Sequence, residues 1–441
     1  MIAAIIVVFV LGYLLIALEH PLRINKATFA LLLCGSLWTI YALLADDPHL
    51  HEGIVTQLGD TCEILVFLIG AMTIVEIIDR YGGFMFITEH IHARNKKHLL
   101  WILSCVAFVM SAVLDNMTTT IIMVMMLRRL LSDQKERWLF ASVLVIAANS
   151  GGAFSPIGDV TTIMLWMDEK VSSQGLIVNL LIPSIVSLIV PLLVAQHFVK
   201  KGPIQKITTM AEKNPQLALE HPHLSKIMLV LGVGGLLFVP VFKTLTGLPP
   251  FMGVLVSLGF LWGVTEVAIR RFHIDSKLGG RVSSAIRSID MSTIMFFLGI
   301  LMAVACLNQA GILQYLAQWM NEDIHEPVTM ATVIGYLSSV VDNVPLVSAC
   351  IKMFEGMGTV TTTDPYLMCF IEDGLFWHLL AFCAGVGGSL LIIGSAAGVV
   401  AMGIEKIPFF WYLKHVTLIA MVGYLAGVGI IYLESLLPFF L

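Results

Sequence analysis

Apolar residues run in long blocks along this chain, beginning with Met1–Leu18 and Ala27–Leu44. Each block approaches the ~20 residues that a helix needs to cross about 30 Å of hydrocarbon. Backbone polar groups in lipid must be satisfied internally, so runs of this length predict helices. Spans are predicted near 2–18, 27–44, 61–79, 138–167, 175–199, 226–242, 250–269, 290–308, 375–404 and 416–435. Two further apolar stretches need separate treatment: 99–127 is too short for two full crossings, and 328–351 could be a single span or a hairpin. Met1 opens directly into apolar sequence, without a basic leader or a small-residue cleavage site. The first segment is therefore expected to stay as a span.

Composition agrees with the pattern. The chain is 58% hydrophobic and 12% charged, with mean hydropathy +0.91; a soluble protein carries roughly 25% charged residues. A soluble fold and a nucleic-acid partner are both excluded on this reading. The cysteines (Cys34, Cys62, Cys105, Cys306, Cys350, Cys369, Cys383) show no metal-ligand spacing and read as small buried apolar side chains.

Charge placement orients the spans. With the 19–26 loop inside and the remaining loops alternating, only Lys170, Lys243 and Lys352 of the 25 basic residues fall outside. Acidic residues such as Asp46, Asp47, Asp60, Asp168, Glu322 and Glu355 fall mostly outside. This is the sorting that the positive-inside rule describes, and it puts both termini on the outer side. It requires the 99–127 stretch to enter and leave on one face, because Lys96 and Lys97 precede it and Arg128 and Arg129 follow. A re-entrant hairpin over 99–131 fits, with its turn at Asp115-Asn116. A second hairpin over 327–351 would turn at Asp342-Asn343 between Glu326 and Glu355. Non-helical backbone at such depth is tolerated where protein or a polar cavity surrounds it.

The two halves echo each other in order and spacing. FLIGAMTIVEIIDRYGG at 67–83 resembles FLGILMAVACLNQAG at 297–311, VLDNMTTT at 113–120 resembles VVDNVPLV at 340–347, and NSGGAFSPIGD at 149–159 matches GVGGSLLIIGS at 385–395. The expected fold is an all-α polytopic membrane protein of two inverted repeats. Each has five spans, one re-entrant helical hairpin and a broken helix at the midplane. The first repeat is drawn at 1–210, with its broken span at 138–167. A cytoplasmic linker follows at 211–225, and the second repeat at 226–441 has its broken span at 375–404. Inverted repeats with discontinuous helices are a common plan for secondary transporters, whose sites lie at the midplane.

The polar interruptions carry the chemistry. Asp115, Asn116, Thr118 and Thr119 sit at the first tip, and Asp342 and Asn343 at the second. Asn149, Ser150, Ser155 and Asp159 occupy the first break, and Ser389 the second. A carboxylate at the bilayer centre costs at least about 2.5 kcal/mol on insertion scales, so a matched pair argues for function. Asp-Asn pairs also close turns and cap helices, which is the plainer reading of both tips. For Asp159, ligand and cap weigh evenly. Glu76 and Asp79, one turn apart, read as interfacial. Hydroxyls and exposed carbonyls are the oxygen ligands that hard cations take. No Lys or Arg falls at the tips or breaks, which favours a cationic substrate over an anion. The histidine clusters, such as His49 with His51 and His90 with His92, are candidates for pH sensing or plain loop residues.

At these residues the chain resembles the NhaD family of sodium/proton antiporters, within a wider superfamily of dicarboxylate, arsenite and citrate carriers. The segments that carry the resemblance are ALEHPLRINKA at 17–27, SAVLDNMTTTIIM at 111–123, NSGGAFSPIGDVTTIM at 149–164 and SSVVDNVPLV at 338–347. The resemblance implies a proton-driven exporter of sodium or lithium in a bacterial cytoplasmic membrane, with no resident cofactor. It also implies a homodimer, and transport positions at Asp115, Asn116, Thr118, Thr119, Ser150, Ser155, Asp159, Asp342, Asn343 and Ser389. Sodium and protons are then expected to compete at Asp115 and Asp342. Val344-Pro345-Leu346 replaces Met117-Thr118-Thr119 at the second tip, which argues against a symmetric pair of sites. Rival readings are a sodium-coupled carboxylate or arsenite carrier, a structural membrane subunit and an intramembrane aspartyl protease. The protease would need a Gly-x-Gly-Asp motif, which Pro156–Asp159 does not supply.

Overall fold

A computed structural model describes residues 1–17, 22, 24–45, 48–83, 93, 95–199, 222–272, 281–340, 343–357 and 364–436. Asp342, Arg23, Asp46, Asp47, Arg94, His90, His92 and most of the 211–225 linker lie outside the described residues, as does the Arg129 side chain. All regular structure among those described is helical. In chain order the helices are α1 (Ile2–Ala17), α2 (Lys26–Leu44), α3 (Leu50–Arg80), α4 (Lys96–Leu114), α5 (Asn116–Leu130), α6 (Gln134–Ala153) and α7 (Val160–Met167). Next come α8 (Ser173–Ala195), α9 (Pro222–Thr246), α10 (Pro250–Phe272), α11 (Val282–Ser288), α12 (Met291–Gln309), α13 (Ile312–Asp323), α14 (Pro327–Ser338) and α15 (Asn343–Met353). The last are α16 (Pro365–Met368), α17 (Leu375–Gly387), α18 (Ala396–Glu405), α19 (Phe409–His415) and α20 (Thr417–Ser435).

Eight of these, α2, α3, α4, α8, α9, α10, α12 and α20, are long and apolar enough to cross a membrane. Two of them depart from the sequence reading. Helix α3 starts eleven residues before the predicted span at 61–79. Its early turns carry Gln57 and Asp60, which line a cavity, so their polarity masked a continuous helix. Helix α4, read as one arm of a hairpin, has 19 residues and matches a full crossing in length. Two cysteines, Cys62 and Cys105, are exposed and not buried.

The centre is built from α6 and α17. Every residue from Phe140 to Ala153 is buried, and so is every residue from Phe376 to Gly387. A helix apolar all round belongs inside a bundle, and neighbours cover these two: α4 and α5 pack on α6, and α14 on α17. The close approach is set by small residues. A Cβ on Gly151 would sit 2.1 Å from the Phe108 carbonyl oxygen, and one on Gly387 would sit 2.4 Å from that of Gly335. Ser111 donates to the Ala148 carbonyl at 2.6 Å, and Ser338 donates to that of Ala384 at 2.8 Å. The same contacts thus join α4 to α6 and α14 to α17, at positions that the two motif alignments pair.

At one end of the bundle a buried ion cluster ties α5, α6 and α18 together. The Glu405 side chain is 0% exposed, with Arg128 Nε at 2.7 Å and Arg137 Nε at 2.9 Å. Arg128 also donates to the Ile404 carbonyl, and Trp138 Nε1 to that of Glu405 at 3.0 Å. Removing one partner of a buried pair leaves an uncompensated charge, at a cost of about 3–5 kcal/mol. Glu405→Gln is therefore expected to lower the thermal midpoint of the purified protein clearly. An unchanged midpoint would show that the two arginines find equal solvation elsewhere. On α3, Glu76 accepts from Arg80 and Ser288, each at 2.8 Å.

Candidate functional site

Four helix starts meet at the centre: those of α5, α7, α15 and α18. A helix start presents unpaired N–H groups and a partial positive charge, so acidic or hydroxyl side chains settle there as caps. Asp115 caps α5, Asp159 caps α7 and Ser395 caps α18. Asp159 both caps and bridges, so the two readings of this residue are compatible. Its Oδ1 accepts from Thr161 N at 3.0 Å, and its Oδ2 accepts from Asn116 Nδ2 at 2.7 Å. Asn343 Nδ2 stands 3.5 Å from Oδ1, at the outer limit of a hydrogen bond. One buried carboxylate, 2% exposed, thus receives an amide from the residue after each predicted tip aspartate.

Asn149 extends the network across the chain. It accepts from Asn116 at 3.0 Å through its side-chain oxygen. Its amide donates to Ser389 Oγ at 2.9 Å and to Ser395 Oγ at 3.0 Å. The cluster therefore comprises Asn116, Asn149, Asp159, Asn343, Ser389 and Ser395. Ser395 was not among the predicted site residues. Its signal was present in the aligned breaks, where it occupies the place that Asp159 holds in the first half.

Asp115 stands beside this cluster in a conformation that is nearly exclusive to glycine. Its φ of 83° and ψ of 156° place the backbone where a side chain costs of order 1–3 kcal/mol. The carboxylate accepts from Thr118 N and from Thr118 Oγ1, each at 2.7 Å. A glycine would relieve the strain and forfeit the carboxylate. Thr119, Thr120 and Thr161 are fully buried, and their hydroxyls have no hydrogen-bond partner among the described residues. Buried hydroxyls normally find one, so these three are exceptions in the packing. Ser150 and Ser155 bond to neighbouring helices. Ser150 accepts from Ser187 on α8, and Ser155 donates to the Ala112 carbonyl on α4.

Two cavities lie along different parts of α12. One, of about 230 Å³, is lined by Asp60, Glu63, Met164, Asp168, Leu301 and Lys352. Burial pushes the Asp168 carboxyl above its ordinary range, against the pull of Lys170. Lys352 reaches Asp60 at 3.4 Å across this cavity. The other, of about 140 Å³, lies at the start of α12 and is lined by Met117, Asp290, Ser292 and Ala396. Met117 adjoins Asn116 and Ala396 adjoins Ser395, so this cavity ends at the cluster's edge.

An all-helical bundle with apolar crossing helices and a polar centre made of interrupted helices defines a polytopic membrane transporter. The family model described as citrate transporter (CitMHS) matches residues 13–371. Sodium/proton antiporter 2 of Arabidopsis thaliana is 40% identical over 426 residues, covering 95% of this chain and 96% of that protein. Sodium/proton antiporter 1 of the same plant is 41% identical over 430 residues, covering 97% and 71%. The Na(+)/H(+) antiporter NhaD of Vibrio cholerae is 30% identical over 455 residues, covering 96% and 90%. The chain belongs to the citrate-transporter family, in its NhaD-type antiporter branch.

Proposed function

We propose that this protein is a secondary transporter that exchanges sodium or lithium for protons across the bacterial cytoplasmic membrane. The observation that carries the reading is Asp159, a buried carboxylate bound by asparagine amides from both predicted tips. Relatives named as sodium/proton antiporters support the choice of ions. Asp159 and Asp115 would supply negative charge to a cation, and the hydroxyls and asparagine oxygens would fill its shell. Asp342, which precedes Asn343, would contribute a third carboxylate.

A proton and a sodium ion compete for the same carboxylates. Protonation removes the charge that holds sodium, and sodium binding favours the ionised form. Exchange follows when the site is exposed to one side at a time. The inverted-repeat plan with two re-entrant hairpins is part of this proposal, with both termini outside and a homodimeric assembly. It is supported by matching contacts in the two halves: Gly151 against Phe108 and Gly387 against Gly335, and Ser111 on Ala148 and Ser338 on Ala384. On this plan the two cavities are the outer and inner approaches to the site. No step calls for catalysis of a covalent reaction or for a resident cofactor.

The test is dequenching of a pH-gradient dye in everted vesicles, with sodium, lithium and potassium added in turn. Sodium or lithium is expected to dequench, and Asp115→Asn and Asp342→Asn are expected to abolish the response with the protein still in the membrane. Full activity in Asp115→Asn would reject its role. The family's description as citrate transporters keeps one other outcome in view. Absence of dequenching by any cation, with uptake of labelled citrate or succinate, would establish an anion carrier instead.

A further inference from the structure

A second site lies well away from the central cluster, in a groove of about 460 Å³ between the start of α6, the end of α8, α19 and the start of α20. Its walls are apolar and open. Phe198 is 64% exposed, Leu418 71% and Val422 42%. Its rim is basic, with Lys135 on one side and Lys414 and His415 on the other. Glu136 is the acidic residue on this rim, and both its oxygens are engaged by Lys96 at 2.7 and 2.9 Å. The uncompensated charge of the groove is therefore positive.

The depth of the groove follows from α19. The chain turns 115° between α18 and α19, so α19 does not continue the direction of the broken span. It carries Phe409, Phe410 and Trp411 beside Lys414 and His415, the pairing of aromatic and basic residues that favours the boundary between headgroups and acyl chains. His415 is fixed there. Its ring stacks on Trp411 with centroids 4.8 Å apart, and its Nδ1 lies 2.9 Å from the Trp411 carbonyl oxygen. That contact makes Nδ1 the protonated nitrogen.

We infer that this groove binds an anionic phospholipid, with an acyl chain against Phe198, Leu418 and Val422 and the phosphate between Lys135 and Lys414. An apolar trough with a basic mouth complements a molecule that has a negative head and an apolar tail. A zwitterionic lipid would bring its own cation beside the phosphate into a mouth that is already basic, and a free phosphate would leave the trough uncovered. On the topology proposed above, this end faces the cytoplasm, where basic pockets between helices meet anionic headgroups. Trp411 packs edge-on against Trp138 at 5.4 Å, and Trp138 binds the Glu405 carbonyl. A lipid here would therefore brace the end of α18.

The test uses the full-length protein purified in neutral detergent and does not depend on antiport. Thermal midpoints are measured while phosphatidylglycerol is titrated, with phosphatidylcholine of the same chains, glycerol phosphate and inorganic phosphate as separate arms. Phosphatidylglycerol is expected to raise the midpoint saturably, with no effect from the other three. The double substitution Lys135→Gln and Lys414→Gln should raise its half-saturating concentration about thirtyfold, at about one lysine's surface attraction each. Val422→Trp, which fills the trough and keeps both lysines, should abolish the lipid's effect. Equal stabilisation by phosphatidylcholine or by the free phosphates would overturn the inference, and so would an unchanged titration in either variant.

Discussion

Replacing Asp159 with asparagine or serine is expected to reduce apparent sodium affinity about a thousandfold and to leave the protein in the membrane. Asparagine and serine are both good helix caps, so α7 retains its start. Serine is also the residue that caps α18 at the matching position, Ser395. The lost quantity is charge. A carboxylate about 4 Å from a monovalent cation, in surroundings of intermediate dielectric, contributes about 4 kcal/mol, which corresponds to about three decades of affinity. The measurement is the sodium concentration for half-maximal dequenching, with protein quantified in the same vesicles. A wild-type value in both variants would remove Asp159 from the binding site and leave it a structural cap.

The second large effect is expected from glycines. Gly151→Ala would set a methyl group 2.1 Å from the Phe108 carbonyl oxygen and 2.8 Å from its Cα. Both neighbours are backbone, so relief requires α4 and α6 to separate. Overpacking of a core costs typically 1–3 kcal/mol and sometimes more, and here it acts where α6 is buried on every side. The thermal midpoint should fall sharply, and Gly387→Ala should behave alike, since its Cβ would meet the Gly335 carbonyl at 2.4 Å. Gly403→Ala is the matched control. It lies in α18 with open space around it and should stabilise the helix slightly. Equal midpoints for all three variants would show that the close helix contacts do not carry stability.

Much of the frame is readable from hydrophobic blocks, because a bilayer imposes length and apolarity directly on sequence. The interruptions are readable too. NSGGAFSPIGD announces the gap between α6 and α7 through its density of small and polar residues within an apolar run. Longer-range chemistry is not visible in this way. Arg128, Arg137 and Glu405 each look like ordinary charged residues at helix ends, and only the fold brings the last of them across more than 260 residues to the other two. Ser395 is similarly unremarkable by type, and its place in the network follows from Asn149 reaching it. The polar early turns of α3 misled in the opposite direction. Gln57 and Asp60 fall before the predicted span at 61–79, yet the helix runs through both, and they line a cavity.

The reach of Asn149 also bears on how the protein is made. Its amide finds Ser389 only 240 positions later in the chain. A ribosome adding about 5–20 residues per second needs roughly 12–48 seconds to cover that interval. Throughout it, the first half sits in or near the bilayer with a polar amide and a capping carboxylate still lacking their final partners. Biogenesis therefore includes a vulnerable interval whose length is written into the chain order. An insertase or chaperone that shelters polar faces would act on this protein chiefly during that interval, and slowing translation across the second half would lengthen the exposure.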